Sequence, residues 1–237
     1  MMGKRVNFPF TSALTRREAI CVLSWLPVHI VLLPVALGLV AERTGLTENM
    51  ANFIVYGVGA VYMVLVAFRF LRRDFDPLAD HPLRCVLEVV WSYLAMMAFN
   101  LLLFSLMTAA LPDSENPNNA EVMSLVLHDT GPMKAAAMVL APIVEELMFR
   151  AGLFGVLRRK NRVLAYAVSM AAFALYHIWS YALTNPLYLV YLLQYLPVGW
   201  LLARCYERTN SIWCGIFFHM AVNTIAINAA LSLQAYL

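Results

Sequence analysis

The chain has 237 residues, of which 62% are hydrophobic and 13% charged; 17 are basic and 14 acidic, and the mean hydropathy is +0.71. An average soluble domain is about 45–50% apolar and about 25% charged, so this composition excludes an ordinary soluble globule and equally a disordered chain. The near balance of acid and base excludes the basic face of a nucleic-acid binder, which leaves a polytopic protein whose partner is the lipid bilayer.

Seven apolar stretches approach the ~20 residues needed to cross a bilayer core: 19–40, 51–71, 83–110, 133–157, 163–183, 186–203 and 211–233. They predict an all-α transmembrane bundle forming one integral-membrane domain over 1–237. The first stretch is longer than the roughly 7–15 apolar residues of a secretory signal, and its Pro27 and Pro34 are tolerable where neighbouring helices satisfy the freed carbonyls. After the third stretch comes an acidic loop with Asp113, Glu115, Glu121 and Asp129, where a short interfacial helix around Glu121 to His128 is expected. Fourteen basic residues fall on one side of the predicted bundle, among them Lys4, Arg5, Arg73, Arg84, Arg158, Arg159 and Arg208; only Arg43 and Lys134 fall on the other. By the positive-inside rule the N-terminus is cytoplasmic, which agrees with an odd number of spans. Cys21, Cys85, Cys205 and Cys214 form no zinc spacing and are expected as free thiols on a reducing side.

The informative residues are the polar ones inside apolar stretches, because each centred charge costs about 2.5–3.5 kcal/mol to insert. The fourth stretch reads Ala-Pro-Ile-Val-Glu-Glu-Leu-Met-Phe-Arg, ending at Arg150. Glu146 and Arg150 are four apart and can pair on one helix face; Glu145 points elsewhere. A charged helix end at the interface is the plain alternative. It is disfavoured because the segment Ala151 to Leu157 follows, about 10 Å of further helix. The fifth stretch holds His177, and the seventh holds His219 and Asn223, one helical turn apart. At 1.5 Å per residue, Glu145, His177, His219 and Asn223 lie ~18, ~21, ~12 and ~18 Å from the basic ends of their helices, so three helices supply one polar layer. His29 lacks such partners and reads as structural. The shallow depth of His219 predicts a site opening towards the basic end, near Leu147 and Phe218.

Glu-Glu-x-x-x-Arg at 145–150, Phe-x-x-x-His at 173–177 and His-x-x-x-Asn at 219–223 follow one another in that order. Together they resemble the CPBP family, the CAAX-processing type II prenyl endopeptidases and their bacterial bacteriocin-processing or self-immunity (Abi) relatives. The resemblance covers roughly 130–225 as a catalytic core, and eight-span members of that family leave room for one span beyond the seven counted. It implies an intramembrane endopeptidase acting on membrane-associated peptides or proteins in a bacterial cell membrane. Carried over, Glu145 would activate water with help from His177, His219 and Asn223 would hold the oxyanion, and Glu146 and Arg150 would support the site. Two readings stay open. Glu145, His177 and His219 are also a zinc ligand set, although no His-Glu-x-x-His is present; the first reading has no tightly bound metal. The alternative to an enzyme is a non-catalytic immunity or scaffold protein that retains the pocket.

Overall fold

A computed structural model describes residues 10–110, 115–128 and 130–234; Lys4, Arg5, Asp113 and Asp129, counted above, lie outside them. The fold is all-α. Six helices among the described residues are long and apolar enough to cross a membrane: Arg16–Thr44, Glu48–Val66, Pro82–Met107, Arg162–Thr184, Pro186–Thr209 and Ile212–Leu233. The remaining expected stretch, 133–157, is helical as well, but it carries four charged residues, Lys134, Glu145, Glu146 and Arg150, and is not among the six. The chain is an integral membrane protein, and its outward faces are lipid-like. Leu83, Leu94, Leu101 and Phe104 are between 61 and 69% exposed along one long helix.

In chain order the elements are α1 (Arg16–Pro27), α2 (Leu33–Thr44), α3 (Glu48–Val66), α4 (Phe68–Arg73), α5 (Asp76–Asp80), α6 (Pro82–Ala110), α7 (Pro117–His128), α8 (Thr130–Ala135), α9 (Ala141–Glu145), α10 (Gly155–Arg158), α11 (Arg162–Thr184), α12 (Leu192–Thr209) and α13 (Ile212–Gln234). Local chemistry sets many of the boundaries. Thr15 caps α1 in a reciprocal capping box with Glu18, Thr47 caps α3, and Asn161 caps α11. The acidic loop does form a helix, α7, begun by the Asn116 side chain accepting the backbone N–H groups of Asn118 and Asn119.

Three wide π-helical turns interrupt the regular helix. Those at Val28–Leu32 and Ala136–Leu140 each close on the residue before a proline: Leu33 N–H bonds to Val28 O, and Ala141 N–H to Ala136 O. Pro34 and Pro142 have no N–H to donate, and each ring crowds the carbonyl four residues back. A five-residue turn relieves that crowding. The third, Glu146–Phe154, follows Glu145 directly and carries Arg150.

The basic segments gather at one end of the bundle. Arg158 and Arg162 share Glu207, Arg204 and Arg208 share Glu88, and Arg84 donates to Arg208 O. The irregular segment 10–15 before α1 threads among them. Asn210, left-handed at φ 57° after α12, accepts the N–H groups of Thr11 and Ser12 at 2.9 Å each. Asp74 is the hub: its carboxylate accepts the Ser12 hydroxyl and the Ile212 N–H that begins α13, and its carbonyl accepts Ser211 Oγ at 2.7 Å.

Burial pushes the Asp74 carboxyl up from the ordinary 3.8 to about 6, against the opposing hydrogen bonds from Ile212 and Ser12 and the charge of Arg73. A raised carboxyl favours the fold in its protonated state. Its contribution is complete below pH ~3.8 and is lost as pH rises through ~6, about 3 kcal/mol over a gap of about two pH units. Asp74→Asn keeps an acceptor for Ile212 and cannot ionise. From pH 4.5 to 7 the wild type should therefore lose thermal stability relative to Asp74→Asn, and parallel melting curves across that range would refute the assignment.

The cysteines depart from expectation. Cys85 and Cys214 form a disulfide with Cα atoms 5.7 Å apart, while Cys21 and Cys205 are free. Both bonded residues lie in the first turn of their helices, and α6 packs along α13 from that end. A separation of 129 residues hides this adjacency from a reading of spacings.

Candidate active site

Glu145 ends α9, and Glu146 and Arg150 lie on the π-helical turn that follows. In a wide turn of ~4.4 residues, positions four apart still share a face, and Arg150 Nη1 lies 3.3 Å from Glu146 Oε1 with both side chains fully buried. The guanidinium is placed by two further groups. It lies 4.1 Å from the centre of the Phe173 ring, and its Nη2 points at Gly199 O at 3.4 Å. Glycine at 199 permits this close approach, because a Cβ there would stand 3.3 Å from the Met170 backbone, tighter than ordinary van der Waals contact.

His219, on α13, reaches the same carboxylate: its Nδ1 is 2.9 Å from Glu146 Oε1. Gly215, one turn earlier, leaves the space, since a Cβ there would sit 3.3 Å from Glu146 Oε2. Glu146 thus joins the π-helical turn to α13, a link that sequence spacing does not reveal. Its pairing with Arg150 is only half of its role.

His177, on α11, turns Nδ1 to Phe173 O, four residues back, at 2.8 Å. A carbonyl only accepts, so Nδ1 carries the proton and Nε2 of the neutral ring is a bare acceptor. Phe173 explains the Phe-x-x-x-His pattern. Its carbonyl sets the tautomer, and its ring lies 4.6 Å from His177 and 5.8 Å from His219 between centroids while receiving Arg150.

Glu145 completes the cluster. Its Oε2 is 3.8 Å from His177 Nε2 and 3.8 Å from His219 Nε2, and this buried oxygen has no hydrogen-bond partner among the described residues. Such gaps are what one bridging water spans. A tetrahedral zinc with ligands at about 2.0–2.2 Å holds its donors about 3.4 Å apart. The spacing here is wider, and among the described residues no three His, Cys, Asp or Glu side chains converge on a metal position. The donors as they stand do not fit zinc.

Glu145, Glu146, Arg150, His177 and His219 therefore meet. Asn223 does not join them. Its Nδ2 donates to Ala137 O, on the π-helical turn before α9, at 2.8 Å.

Several neighbours are not legible in the sequence. Tyr195 stacks on His177 with centroids 4.4 Å apart and 21° between planes, and its hydroxyl engages the amides of Asn116, Asn118 and Asn119 at the start of α7. His29 is bonded to Tyr176, which is bonded to Tyr56, at 3.1 and 2.8 Å, so it is not without partners as its place on the first stretch suggests. The expected opening near Leu147 and Phe218 is corrected, for both are fully buried. The most accessible member of the cluster is His177, whose side chain is 14% exposed, beneath Tyr195.

Residues 129–225 match the family model described as type II CAAX prenyl endopeptidase, Rce1-like. A stretch of 110 residues is 31% identical to a Bacillus subtilis (strain 168) protein named "Putative membrane peptidase YdiL"; it covers 46% of this chain and 41% of that one. No solved structure matches the chain. The matched residues, 129–225, include all three motifs, so the part of the chain that carries them is similar to the Rce1-like type II CAAX prenyl endopeptidase family.

Proposed function

With that similarity as premise, we propose that the chain is an intramembrane endopeptidase that hydrolyses peptide bonds of membrane-associated peptides or proteins with water activated by Glu145. The observation that carries the reading is the buried Glu145 Oε2, equidistant at 3.8 Å from two imidazole nitrogens and without another partner among the described residues. A water held there donates one hydrogen to Glu145 Oε2 and the other to the bare His177 Nε2, which leaves its oxygen lone pair for a substrate carbonyl.

As that oxygen bonds to the carbonyl carbon, one proton passes to Glu145 and the carbonyl oxygen becomes an oxyanion. We assign His219 to stabilise it: its Nδ1 is held by the Glu146 carboxylate, and an Nε2–H at the other edge of the ring can donate to the oxyanion. Asn223 joins as second donor only after releasing Ala137 O, a rearrangement of α13 against the turn before α9. When the tetrahedral intermediate collapses, the C–N bond breaks and Glu145 returns its proton to the leaving amine. Tyr195, held by the asparagines at the start of α7, covers His177 and must move for a substrate to approach from that side.

The substrate class follows the resemblance, prenylated C-termini or small bacterial peptides. The test is purified protein in detergent with a peptide library, products read by mass spectrometry. New termini are expected, and none across a broad library would turn the reading to the non-catalytic one. Activity should survive exhaustive chelation, and elemental analysis should find well under one metal ion per active chain. Stoichiometric zinc whose removal kills activity and whose return restores it would overturn the water mechanism.

A further inference from the structure

At the basic end of the bundle a cavity of about 510 Å³ is lined by Phe10, Thr11, Ala13, Arg73, Arg158 and Arg159. The three arginines come from separate places: the last residue of α4, the last residue of α10 and the turn after it. Phe10, Thr11 and Ala13, on the irregular segment before α1, line the remaining side.

The charges of this cavity are poorly compensated. Arg73 Nη2 donates to Ala13 O at 2.7 Å, and Arg159 Nη2 to Leu14 O at 2.5 Å. Each carbonyl takes one of five guanidinium hydrogens and neutralises no charge. No carboxylate lies within ion-pair distance of either arginine among the described residues. Arg158 pairs with Glu207 at 2.5 Å, but that carboxylate also serves Arg162 at 2.7 Å and the Tyr166 hydroxyl at 2.8 Å. The acid nearest Arg73 is Asp74, whose oxygens face Ser12 and Ile212.

Fixing two guanidiniums on successive backbone carbonyls keeps both at the lining of one cavity with unused donors, an arrangement suited to the several acceptor oxygens of one phosphate. The setting is a membrane boundary. Phe68 is 58% exposed five residues before Arg73, and Val163 is 78% exposed four residues after Arg159, so apolar surface begins next to the pocket. A glycerophosphate headgroup fits there with its acyl chains along those side chains.

We propose that this pocket is a binding site for a phosphate group, supplied by an anionic phospholipid headgroup or free in solution. It is independent of the peptidase reading. The purified full chain in neutral detergent is titrated with dioleoyl phosphatidylglycerol, with dioleoylglycerol as the phosphate-free control, and separately with inorganic phosphate against chloride at equal ionic strength. Thermal unfolding reports binding.

Phosphatidylglycerol should raise the melting temperature and dioleoylglycerol should not. Arg73→Gln with Arg159→Gln should weaken the apparent affinity at least tenfold, while Arg16→Gln with Arg17→Gln, which removes the same charge at the same end but outside the pocket, should change it less than twofold. Because the first pair also anchors the segment before α1 through Ala13 O and Leu14 O, Ala13→Phe fills the cavity with every arginine retained and should give the same loss. Saturation by inorganic phosphate, lost in Ala13→Phe, assigns the site to soluble phosphate; a response to phosphatidylglycerol only assigns it to the lipid. Equal weakening by both arginine pairs, undiminished binding in Ala13→Phe, or no response to either phosphate probe overturns the proposal.

Discussion

Glu145→Gln is expected to lower peptide hydrolysis by about 10²–10⁴-fold, the usual contribution of a positioned general base, with little change in folded yield or melting temperature. The two halves of this result have separate causes. The amide cannot take a proton from water, so the reaction loses its base. The fold keeps its contacts, because the contacting oxygen, Oε2, makes no hydrogen bond and stands 3.8 Å from each imidazole. The substitution also preserves volume in a closely packed site, where Glu145 is 3% exposed. Turnover within a few-fold of wild type would remove Glu145 from the role of base and leave His177 as the alternative. His177→Ala should cost less, since it removes the water's second acceptor and leaves the proton's destination in place.

The parts of this molecule that could be read from sequence are those where one helix face carries the information. The long apolar runs appear as helices because lipid demands them. The Glu146–Arg150 pair appears because the partners are four residues apart on one helical segment. What stayed hidden involves two elements that only packing brings together. Glu146 meets His219 across 73 residues, Tyr195 covers His177 from another helix, and Asp74 begins α13 from a loop 138 residues earlier. The corrected opening has the same origin. Depth along a helix axis locates a layer, but it does not show which neighbours fill the space around it, and Leu147 and Phe218 are filled in completely. The prolines were visible, but the wider turns they produce were not, because the crowding can be relieved by a kink, a break or a π turn.

Arg150→Met should destabilise the protein strongly, by about 3–5 kcal/mol, and reduce activity with it. The arginine is fully buried, pairs with Glu146 at 3.3 Å and rests on the Phe173 ring at 4.1 Å. Methionine fills much of the same space, so the loss comes mainly from leaving the Glu146 carboxylate with one cationic neighbour fewer in a medium that cannot solvate it. A second substitution separates this electrostatic cause from packing. Adding Glu146→Gln to Arg150→Met removes the stranded charge, and replacing a buried ion pair altogether is often close to neutral. The double variant should therefore recover much of the stability lost in the single one. Activity should not recover with it, because a neutral amide at 146 holds His219 Nδ1–H more weakly than a carboxylate does, and the ring that faces the oxyanion loses its anchor. Recovered melting with absent turnover would assign Glu146 both roles at once, ion-pair partner on the π-helical turn and orienting acceptor for α13. Wild-type melting in Arg150→Met alone would show that the pair contributes nothing to the fold. Recovery of both stability and turnover in the double variant would show that His219 does not depend on Glu146.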